Sequence, residues 1–343
     1  MNDFEARLGG YAGAVEEAMR QLVTATPAYD ELTTMLRYHL GWVDRTGAPF
    51  ESGSGKRLRP GLCLLVAESL NGDWRPALPA AAALELVHNF SLIHDDIQDR
   101  SNLRRFRETV WAVWGEAQAI NAGDAMLIIA EQALLEARPA LAPDIAVGSL
   151  TRLNRTCRAL CEGQFLDMRW EHETSITVEQ YIEMIERKTA RLFQCSAELG
   201  ALSVGASAAA QRQCAAYGSA LGMAFQVVDD LLGVWGPEAE TGKTASLDIT
   251  TRKKTLPVVL GLSAPAPSPD RERLRELFAL ERELTPEETA EATRSLEALG
   301  VREETTTIAR RFRAQALSEL DHPSIRARAG LLREFLATAL PNV

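Results

Sequence analysis

Apolar residues recur along most of this 343-residue chain with the three-to-four-residue spacing of amphipathic helices. The segments are rich in Ala, Leu, Glu and Arg, whereas alternating Val, Ile and Thr runs bounded by turn signals are missing. The pattern therefore predicts an all-α fold. The predicted helices cover 3–44, 58–71, 77–101, 106–137, 142–171, 177–203, 207–235, 255–263, 270–281, 285–299, 302–320 and 325–340.

Two helix starts carry strong capping signals. Thr177 followed by Gln180 predicts a capping box, in which side chain and backbone satisfy each other's hydrogen bonds. Thr285 and Glu288 predict a second box, with Pro286 at the first helical position, where proline is favoured. These signals fix where two of the later helices begin.

Two polar stretches, 236–254 and 263–270, interrupt the helical pattern. Neither is long or biased enough in composition to be a domain linker. We therefore expect one domain over 1–343, with a motif-bearing core at about 50–260 and the helices of 270–340 belonging to it.

Charge and composition exclude several classes of protein. Lys and Arg number 37 against 47 Asp and Glu, so a basic surface for nucleic acid is not expected. The five cysteines form no C-x-x-C pair, which favours packed thiols. The start "MNDFEARLGG" lacks the apolar stretch of a signal peptide, and no apolar run is long enough to span a bilayer. We expect a soluble cytoplasmic protein without a membrane span.

Two acidic clusters stand in apolar surroundings. Asp95, Asp96 and Asp99 lie within "FSLIHDDIQD", and Asp229 and Asp230 lie within "AFQVVDDLL". Uncompensated charges in such settings cost about several kcal/mol each, so a cation partner is expected. Carboxylates without cysteine ligands favour a hard ion such as Mg²⁺, which takes its other ligands from water and phosphate.

Cationic residues accompany the acidic clusters, although the net charge of the chain is negative. This arrangement predicts two bound anionic groups, one bridged by metal and one held by Arg and Lys alone. The candidate cations are Lys56, Arg57, Arg59, Arg104, Arg105, Lys188 and Lys243.

The motifs, taken in order, resemble those of the short-chain trans-isoprenyl diphosphate synthases, members of the polyprenyl synthetase family. The resemblance covers roughly residues 50 to 260. Its motifs are "GKRLRP", "LVHNFSLIHDDIQD", "LRR", "GEAQAINAGDAML", "CEGQFLD", "RKTARLF", "FQVVDDLLG" and "TGKTASLDITTRKKTLPV". Each motif alone is weak evidence, but eight in register are specific.

The resemblance implies a fold and a metal site. Helices of the family surround a deep central cavity, usually in a homodimer, and two aspartate motifs face each other across its mouth. They hold three Mg²⁺ ions on the diphosphate of an allylic substrate. The implied direct ligands are Asp95, Asp99 and Asp229, with Asp96, Asp230 and Asp248 in support.

The resemblance also implies a transferase activity, the condensation of isopentenyl diphosphate with dimethylallyl, geranyl or farnesyl diphosphate. Residues expected to hold isopentenyl diphosphate are Lys56, Arg59, His88 and Arg105. Those expected to bind the allylic diphosphate are Arg104, Lys188 and Lys243. The oxygens of Thr189 and Gln226 are expected to shield the allylic cation.

Product length depends on the residues before the first aspartate. In the family, bulky side chains four and five positions before it form a floor under the growing chain. Ser91 and Phe90 stand there. This pair favours geranylgeranyl diphosphate, with farnesyl diphosphate as the alternative, although Phe90 as a plain core residue stays open.

The chain departs from the family pattern at several positions. Phe106 and Glu108 replace glycine and proline after "LRR", and Gly233 stands where a third aspartate is frequent. Because Phe does not share the conformational freedom of glycine, the loop beside Arg104 is expected to sit differently. A terpene cyclase of the same fold, or a noncatalytic partner subunit of a heteromeric synthase, remain the alternative functions.

Histidines outside the motifs receive no functional assignment. His94 adjoins the first aspartate and fits either a supporting position or the core. His39, His172 and His322 have no partner in the sequence pattern.

Overall fold

The computed structural model describes residues 3–25, 30–50, 55–136, 142–171, 173, 175–236, 246–263 and 268–341. It is 79% helical, which confirms the predicted all-α class. The first helices are α1 (Asp3–Ala25), α2 (Asp30–His39), α3 (Leu58–Asn71), α4 (Leu78–Gln98), α5 (Val110–Trp114), α6 (Glu116–Leu135), α7 (Pro143–Glu171) and α8 (Val178–Ile185). The later ones are α9 (Arg191–Ser203), α10 (Ala208–Trp235), α11 (Leu247–Thr250), α12 (Leu256–Ser263), α13 (Pro269–Phe278), α14 (Pro286–Ala298), α15 (Val301–Glu319) and α16 (Gly330–Ala339).

Short elements of other kinds connect these helices. A π-helical segment, Glu186–Ala190, joins α8 to α9, and 3₁₀ turns cover Arg75–Ala77 and Arg326–Arg328. Within the described ranges, the only sheet is a hairpin of β1 (Leu103–Arg104) and β2 (Arg107–Glu108). None of the helices in the described part of the chain has the length and apolarity needed to cross a membrane.

Several predicted helices differ from the structure. The one predicted over 177–203 contains a π-helical segment, and the one predicted over 325–340 begins as a 3₁₀ turn and is α-helical only from Gly330. The helix predicted over 3–44 is two helices, and its second part ends at His39. The helix predicted from 106 starts too early, because the chain first forms the hairpin and then bends at Gly115, whose φ of 84° is left-handed. Both predicted capping boxes are confirmed, each with its reciprocal hydrogen bonds.

The chain divides into two compact units. The first unit comprises Met1–Cys157, Cys195–Ala215 and Pro323–Glu334. The second unit comprises Arg158–Gln194, Ala216–His322 and Phe335–Val343. The single domain expected from the sequence stays a prediction.

In the first unit, α4 packs along α6 and α3. Four successive alanines, Ala80 to Ala83, are fully buried, because small side chains let neighbouring helices approach α4 closely. Gly123 of α6 serves the same purpose, since a Cβ at that position would overlap Nε2 of His94. The close contact fixes the part of α4 that carries the first acidic motif.

In the second unit, the apolar helix α12 forms the centre of the core. Its residues from Leu256 to Gly261 are all buried, and it packs against α8, α13, α14 and α15. In the same unit, the rings of Phe193 and Phe225 lie 5.2 Å apart. This core supports the start of α12, where the Leu256 backbone N–H points at the second acidic motif.

Candidate active site

The first acidic motif lies at the C-terminal end of α4. Asp96 is buried, with 2% of its surface exposed, whereas Asp95 is partly exposed and Asp99, just beyond the helix, is exposed. Burial raises the pKa of the Asp96 carboxyl, and the neighbouring Arg104 opposes that rise. We call the buried Asp96 the inward carboxylate of the motif, and the partly or fully exposed Asp95 and Asp99 its outward carboxylates.

Arg104 compensates the buried charge of Asp96. Its Nε lies 2.8 and 3.0 Å from the two carboxylate oxygens of Asp96, and its Nη2 lies 2.8 Å from Oδ1. The same Nη2 is 3.6 Å from Oδ2 of Asp95. Arg104, which the resemblance assigns to the allylic diphosphate, is therefore already paired with both aspartates here.

The hairpin that carries Arg104 keeps a left-handed turn without glycine. Its strands pair Leu103 with Glu108, which leaves Arg105 and Phe106 as the two turn residues. Their φ angles of 51° and 62° are those of a type I′ turn, which usually contains Asn and Gly. Phe106 thus has a positive φ, which glycine adopts freely but which costs a residue with a Cβ about 1–2 kcal/mol. Its side chain is 89% exposed.

Several predicted anion-binding residues lie together in the first unit. Nη1 of Arg59 is 3.4 Å from Nε2 of His88. Burial, followed by the charges of Arg59 and Arg105, lowers the pKa of His88 well below its ordinary value, so its ring is neutral at neutral pH. Arg105 lies over Gly55, where a Cβ would come within 2.9 Å of Nη2, and Lys56 is exposed.

His39 belongs to this group of residues, although the sequence pattern predicted no function for it. It lines a pocket with Asp96, Arg104 and Arg105. Burial, followed by the charges of Arg104 and Arg105, lowers its pKa to about 3, and a hydrogen bond with Asn89 opposes the shift. No sequence signal pointed to it, because its neighbours are far away along the chain.

Arg57 is held in ion pairs within the protein, unlike its exposed neighbour Lys56. It is buried and forms ion pairs with Glu85 and, at 2.7 Å, with Glu16. Its φ of 47° lies in the left-handed region, which is uncommon for a residue with a Cβ. Of the basic motif, Lys56 and Arg59 remain as candidates for substrate.

The two candidate chain-length residues precede Asp95 on α4. Phe90 is buried and meets the ring of His94 edge-on, with centroids 5.8 Å apart. Ser91 donates its hydroxyl to the carbonyl of His88 at 2.7 Å. His94 therefore packs between Phe90 and α6, which favours the core position over the supporting one.

The second acidic motif lies on α10 and repeats the pattern of one outward and one inward carboxylate. Asp229 is exposed and Asp230 is buried. Asp230 accepts hydrogen bonds from the Tyr181 hydroxyl at 2.6 Å, Gln226 Nε2 at 2.9 Å and the Leu256 N–H at 3.1 Å. Burial nevertheless raises the pKa of Asp230 to about 7, because all three donors are neutral.

Lys188 and Thr189 lie in the π-helical segment between α8 and α9. Such segments are often found at functional sites. Gly163 on α7 permits it, since a Cβ there would overlap the Lys188 backbone nitrogen. Lys188 donates to Asp167 at 2.5 Å, and Thr189 donates to Gln226 at 2.7 Å. Asp167 lies within the motif "CEGQFLD", although its sequence context predicted no function for it.

Gly233 makes room for Asp248. A Cβ on Gly233 would overlap Oδ2 of Asp248, so a larger residue there would require a shift of the carboxylate. Asp248 is 9% exposed. The carboxylate of Asp248 from α11 thus occupies the space into which a side chain at position 233 would extend.

Lys243 lies outside the described residues. Within the described ranges, no group of three His, Cys, Asp or Glu side chains is arranged to hold a metal ion by itself. Mg²⁺ commonly takes only one or two protein carboxylates and completes its shell with water and substrate phosphate. The outward carboxylates Asp95, Asp99 and Asp229 fit that demand, because they reach the surface of their own units.

The protein has the all-α isoprenoid synthase fold, which it shares with solved polyprenyl synthases. Residues 42–296 match the family model described as Polyprenyl synthetase. The chain therefore belongs to the polyprenyl synthetase family.

Individual relatives show how far the similarity reaches. The chain is 45% identical to a (2E,6E)-farnesyl diphosphate synthase of Mycobacterium tuberculosis over 65% of its own length and 61% of that protein. It is 42% identical to a geranylgeranyl diphosphate synthase of the same organism over 68% of this chain and 66% of that one. Each match thus spans less than two thirds of the relative's length.

Solved structures are similar over nearly the whole chain. A polyprenyl synthetase from Streptomyces coelicolor A3(2) has a TM-score of 0.89 and 37% identity, with coverage of 97% of this chain and 99% of that one. A geranylgeranyl pyrophosphate synthase from Corynebacterium glutamicum, complexed with isoprenyl diphosphate and magnesium, has a TM-score of 0.81 and 26% identity, with coverage of 98% and 99%.

Proposed function

We propose that this protein is a short-chain trans-prenyltransferase that joins isopentenyl diphosphate to an allylic diphosphate. The observation that carries the proposal is the repeated aspartate pair, with one outward and one inward carboxylate on both α4 and α10. The relatives named for farnesyl and geranylgeranyl diphosphate synthesis support the reaction class.

The metal ion of this reaction is Mg²⁺, with three ions expected beside bound diphosphate. We assign Asp95, Asp99 and Asp229 as its protein ligands, and the inward Asp96 and Asp230 as residues that hold those ligands in place. When bound, Mg²⁺ neutralises charge on the leaving diphosphate. The magnesium in the Corynebacterium structure supports this choice of ion.

The cations of the chain bind the diphosphates. Arg59 and Arg105 bring positive charge to the neutral His88, and this group, with the exposed Lys56 of the same basic motif, suits the diphosphate of isopentenyl diphosphate. Lys188, now paired with Asp167 at 2.5 Å, and Arg104 are the described candidates for the allylic diphosphate. Lys243 is the third candidate, as the resemblance implies.

The reaction exchanges one bond for another. The C1–O bond of the allylic diphosphate breaks and its electron pair leaves with the diphosphate. The double bond of isopentenyl diphosphate attacks C1, and a proton then leaves the new cation for the departed diphosphate. The chain's contribution is positioning and electrostatic stabilisation of the ion pair, with Thr189 and Gln226 beside the allylic cation.

For the product we propose geranylgeranyl diphosphate, with farnesyl diphosphate as the shorter alternative. The buried ring of Phe90 and the small Ser91, one turn before Asp95, support a floor at intermediate depth. Phe90→Ala should lengthen the product. An unchanged product length would leave Phe90 as a core residue only.

We also propose a cytoplasmic homodimer. The exposed apolar residues Ile120, Ile128 and Leu135 of α6 are spaced by seven or eight positions and so share one helix face. A second copy of the chain would cover that face. Light scattering should give a dimer for the wild type and a monomer for Ile128→Lys, whereas a monomeric wild type would contradict the proposal.

The activity is tested by incubating the protein with isopentenyl diphosphate, Mg²⁺ and dimethylallyl, geranyl or farnesyl diphosphate in turn. Longer prenyl diphosphates are the expected products. Hydrocarbon without chain growth would indicate a cyclase instead, and no turnover with any starter would contradict the proposal.

A further inference from the structure

A directed chain of hydrogen bonds connects Asp230 to Thr189 through Gln226. Gln226 Nε2 lies 2.9 Å from Oδ1 of Asp230, and its Oε1 lies 2.7 Å from Oγ1 of Thr189. Thr189 and Asp230 are both buried, so protein partners rather than bulk water satisfy these groups. The fold therefore determines which group donates and which accepts in each of these hydrogen bonds.

The two oxygens of Asp230 fix these roles, because Tyr181, Gln226 and Leu256 all donate hydrogen bonds to them. A carboxylate only accepts hydrogen bonds, so Gln226 must turn its NH₂ group towards Asp230 and its carbonyl towards Thr189. The Thr189 hydroxyl then donates its one hydrogen to that carbonyl, and only lone pairs of its oxygen remain for other contacts.

We propose that Asp230 is a positioning residue that makes Thr189 present oxygen lone pairs, and no hydrogen, to the allylic cation. The inference rests on the proposed function, because it assigns a task within that reaction. Lone pairs aimed at a developing positive charge stabilise it, whereas an O–H or N–H dipole of the opposite direction destabilises it. Asp230 thus acts on the cation through two other side chains.

The position of Asp230 is itself fixed by two further donors. Its Oδ2 accepts from the Tyr181 hydroxyl at 2.6 Å and from the Leu256 backbone N–H at 3.1 Å. The backbone N–H can only donate, so an oxygen must remain at the Oδ2 position. This leaves the Oδ1 position as the one that determines how Gln226 is turned.

Asp230→Asn tests the proposal because it reverses the donor and acceptor roles of Gln226 and Thr189 without removing a hydrogen bond. Leu256 N–H retains the asparagine oxygen, so the new NH₂ group takes the place of Oδ1. The carbonyl of Gln226 must turn towards it, and Thr189 becomes an acceptor with its hydrogen free. We expect kcat to fall about 10²-fold and KM for both substrates to change less than about threefold. Assays of the variant and the wild type are run at one and the same pH.

Tyr181→Phe is the matched control. It removes one hydrogen bond to the same carboxylate but leaves the orientation of Gln226 intact. We expect reduced stability with kcat within about threefold of the wild type. An equal loss of kcat in Tyr181→Phe and Asp230→Asn would show that Asp230 only holds the fold, and would overturn the proposal.

A double-mutant cycle separates positioning from a structural effect. Thr189→Val removes the oxygen and should lower kcat, and adding Asp230→Asn should then lower it little further, because both changes act at the same oxygen. Multiplicative losses would overturn the proposal. If Asp230→Asn does not fold, the orientation of Gln226 in the wild type decides the proposal.

Neutron diffraction of the wild type reads the amide orientation independently of turnover. The expected map has the Gln226 nitrogen towards Asp230, and oxygen on that side would overturn the inference. A wild type that elongates no allylic substrate would instead overturn the proposed function, and with it the catalytic part of this inference, while the neutron map still decides the orientation.

Discussion

The two aspartate pairs, Asp95–Asp96 and Asp229–Asp230, share a sequence pattern but differ in how the inward carboxylate is satisfied. Asp96 in the first unit is held by the guanidinium of Arg104, at 2.8 and 3.0 Å from Nε. Asp230 in the second unit is held by a phenol, an amide and a backbone N–H, all neutral. The inward carboxylate is thus held once by a charged group and once by neutral dipoles.

This difference has consequences for titration and for contacts. Burial raises the pKa of both carboxyls, but only for Asp230 does the shift bring the pKa to about 7. A cation partner stabilises the ionised form more than neutral donors do. A neutral donor such as the Gln226 amide has a fixed direction, so its carbonyl can in turn orient the Thr189 hydroxyl. Arg104 instead uses its additional N–H groups to contact Asp95 as well.

The largest expected effect is loss of turnover when an outward carboxylate is removed. Asp95→Asn and Asp229→Asn should each lower kcat about 10²–10³-fold, because each loses a preorganised electrostatic contact to the metal diphosphate. Steady-state kinetics in excess Mg²⁺ measure the loss. Asp144→Asn, at an exposed position of α7, is the control and should leave kcat unchanged.

The charged and neutral arrangements should differ in stability when one donor is removed. Arg104→Met leaves Asp96 buried without its cation and should cost about 2–3 kcal/mol of unfolding free energy. Tyr181→Phe leaves Asp230 with two donors and should cost about 1 kcal/mol. Urea denaturation of both variants measures the difference, and equal costs would contradict this account of the pairs.

The raised pKa of Asp230 predicts a pH dependence for the metal-free protein. Between the ordinary aspartate pKa of 3.8 and the raised pKa of about 7, the folded state holds a proton that the unfolded state has lost. The unfolding free energy therefore falls as the pH rises through this window and levels off above it. The Asp230→Asn variant has no carboxyl group to protonate at this position. The difference between its unfolding free energy and that of the wild type should therefore shift in favour of the variant from pH 4 to pH 7. A difference that is independent of pH would contradict the raised pKa.

A smaller effect is expected at the glycine beside Asp248. Gly233→Ala would place a Cβ against Oδ2 of Asp248 and should cost about 1–3 kcal/mol as the carboxylate is displaced. The control is Gly13→Ala in α1, where no atom lies within 4 Å of the new Cβ. That variant should gain about 0.5–1 kcal/mol in thermal denaturation.

The smallest expected effect concerns the hairpin beside Asp96. Phe106→Gly should stabilise the protein by about 0.5–1 kcal/mol, since glycine adopts the φ of 62° without strain. Phe106→Ala retains the Cβ and loses only an exposed ring, so it should change little. If both variants behave alike in thermal denaturation, the turn is not strained.

Much of the molecule could be predicted from local signals. Helical periodicity gave the all-α class, and Thr177 and Thr285 gave helix starts, because capping depends on residues three positions apart. The apolar surroundings of Asp96 and Asp230 indicated carboxylates at buried positions. Eight motifs in register then indicated the family.

Long-range contacts could not be predicted in the same way. His39 meets Arg104, and Tyr181 meets Asp230, only through the tertiary structure, and neither pair leaves a local pattern. The hairpin was missed because Arg105 and Phe106 are not typical of a type I′ turn. The φ of Phe106 shows that the surrounding structure overrides local preference there.

Calorimetry of Mg²⁺ and inorganic pyrophosphate binding to the wild type and three variants tests whether Asp95 and Asp229 hold the metal while Asp230 supports its helix. The account predicts that Asp95→Asn and Asp229→Asn lose Mg²⁺-dependent pyrophosphate binding while they keep the thermal stability of the wild type. Asp230→Asn should retain binding, because that carboxylate is already occupied by protein donors. Undiminished binding in Asp95→Asn and Asp229→Asn, or its loss in Asp230→Asn, would contradict the division into outward ligands and inward supports.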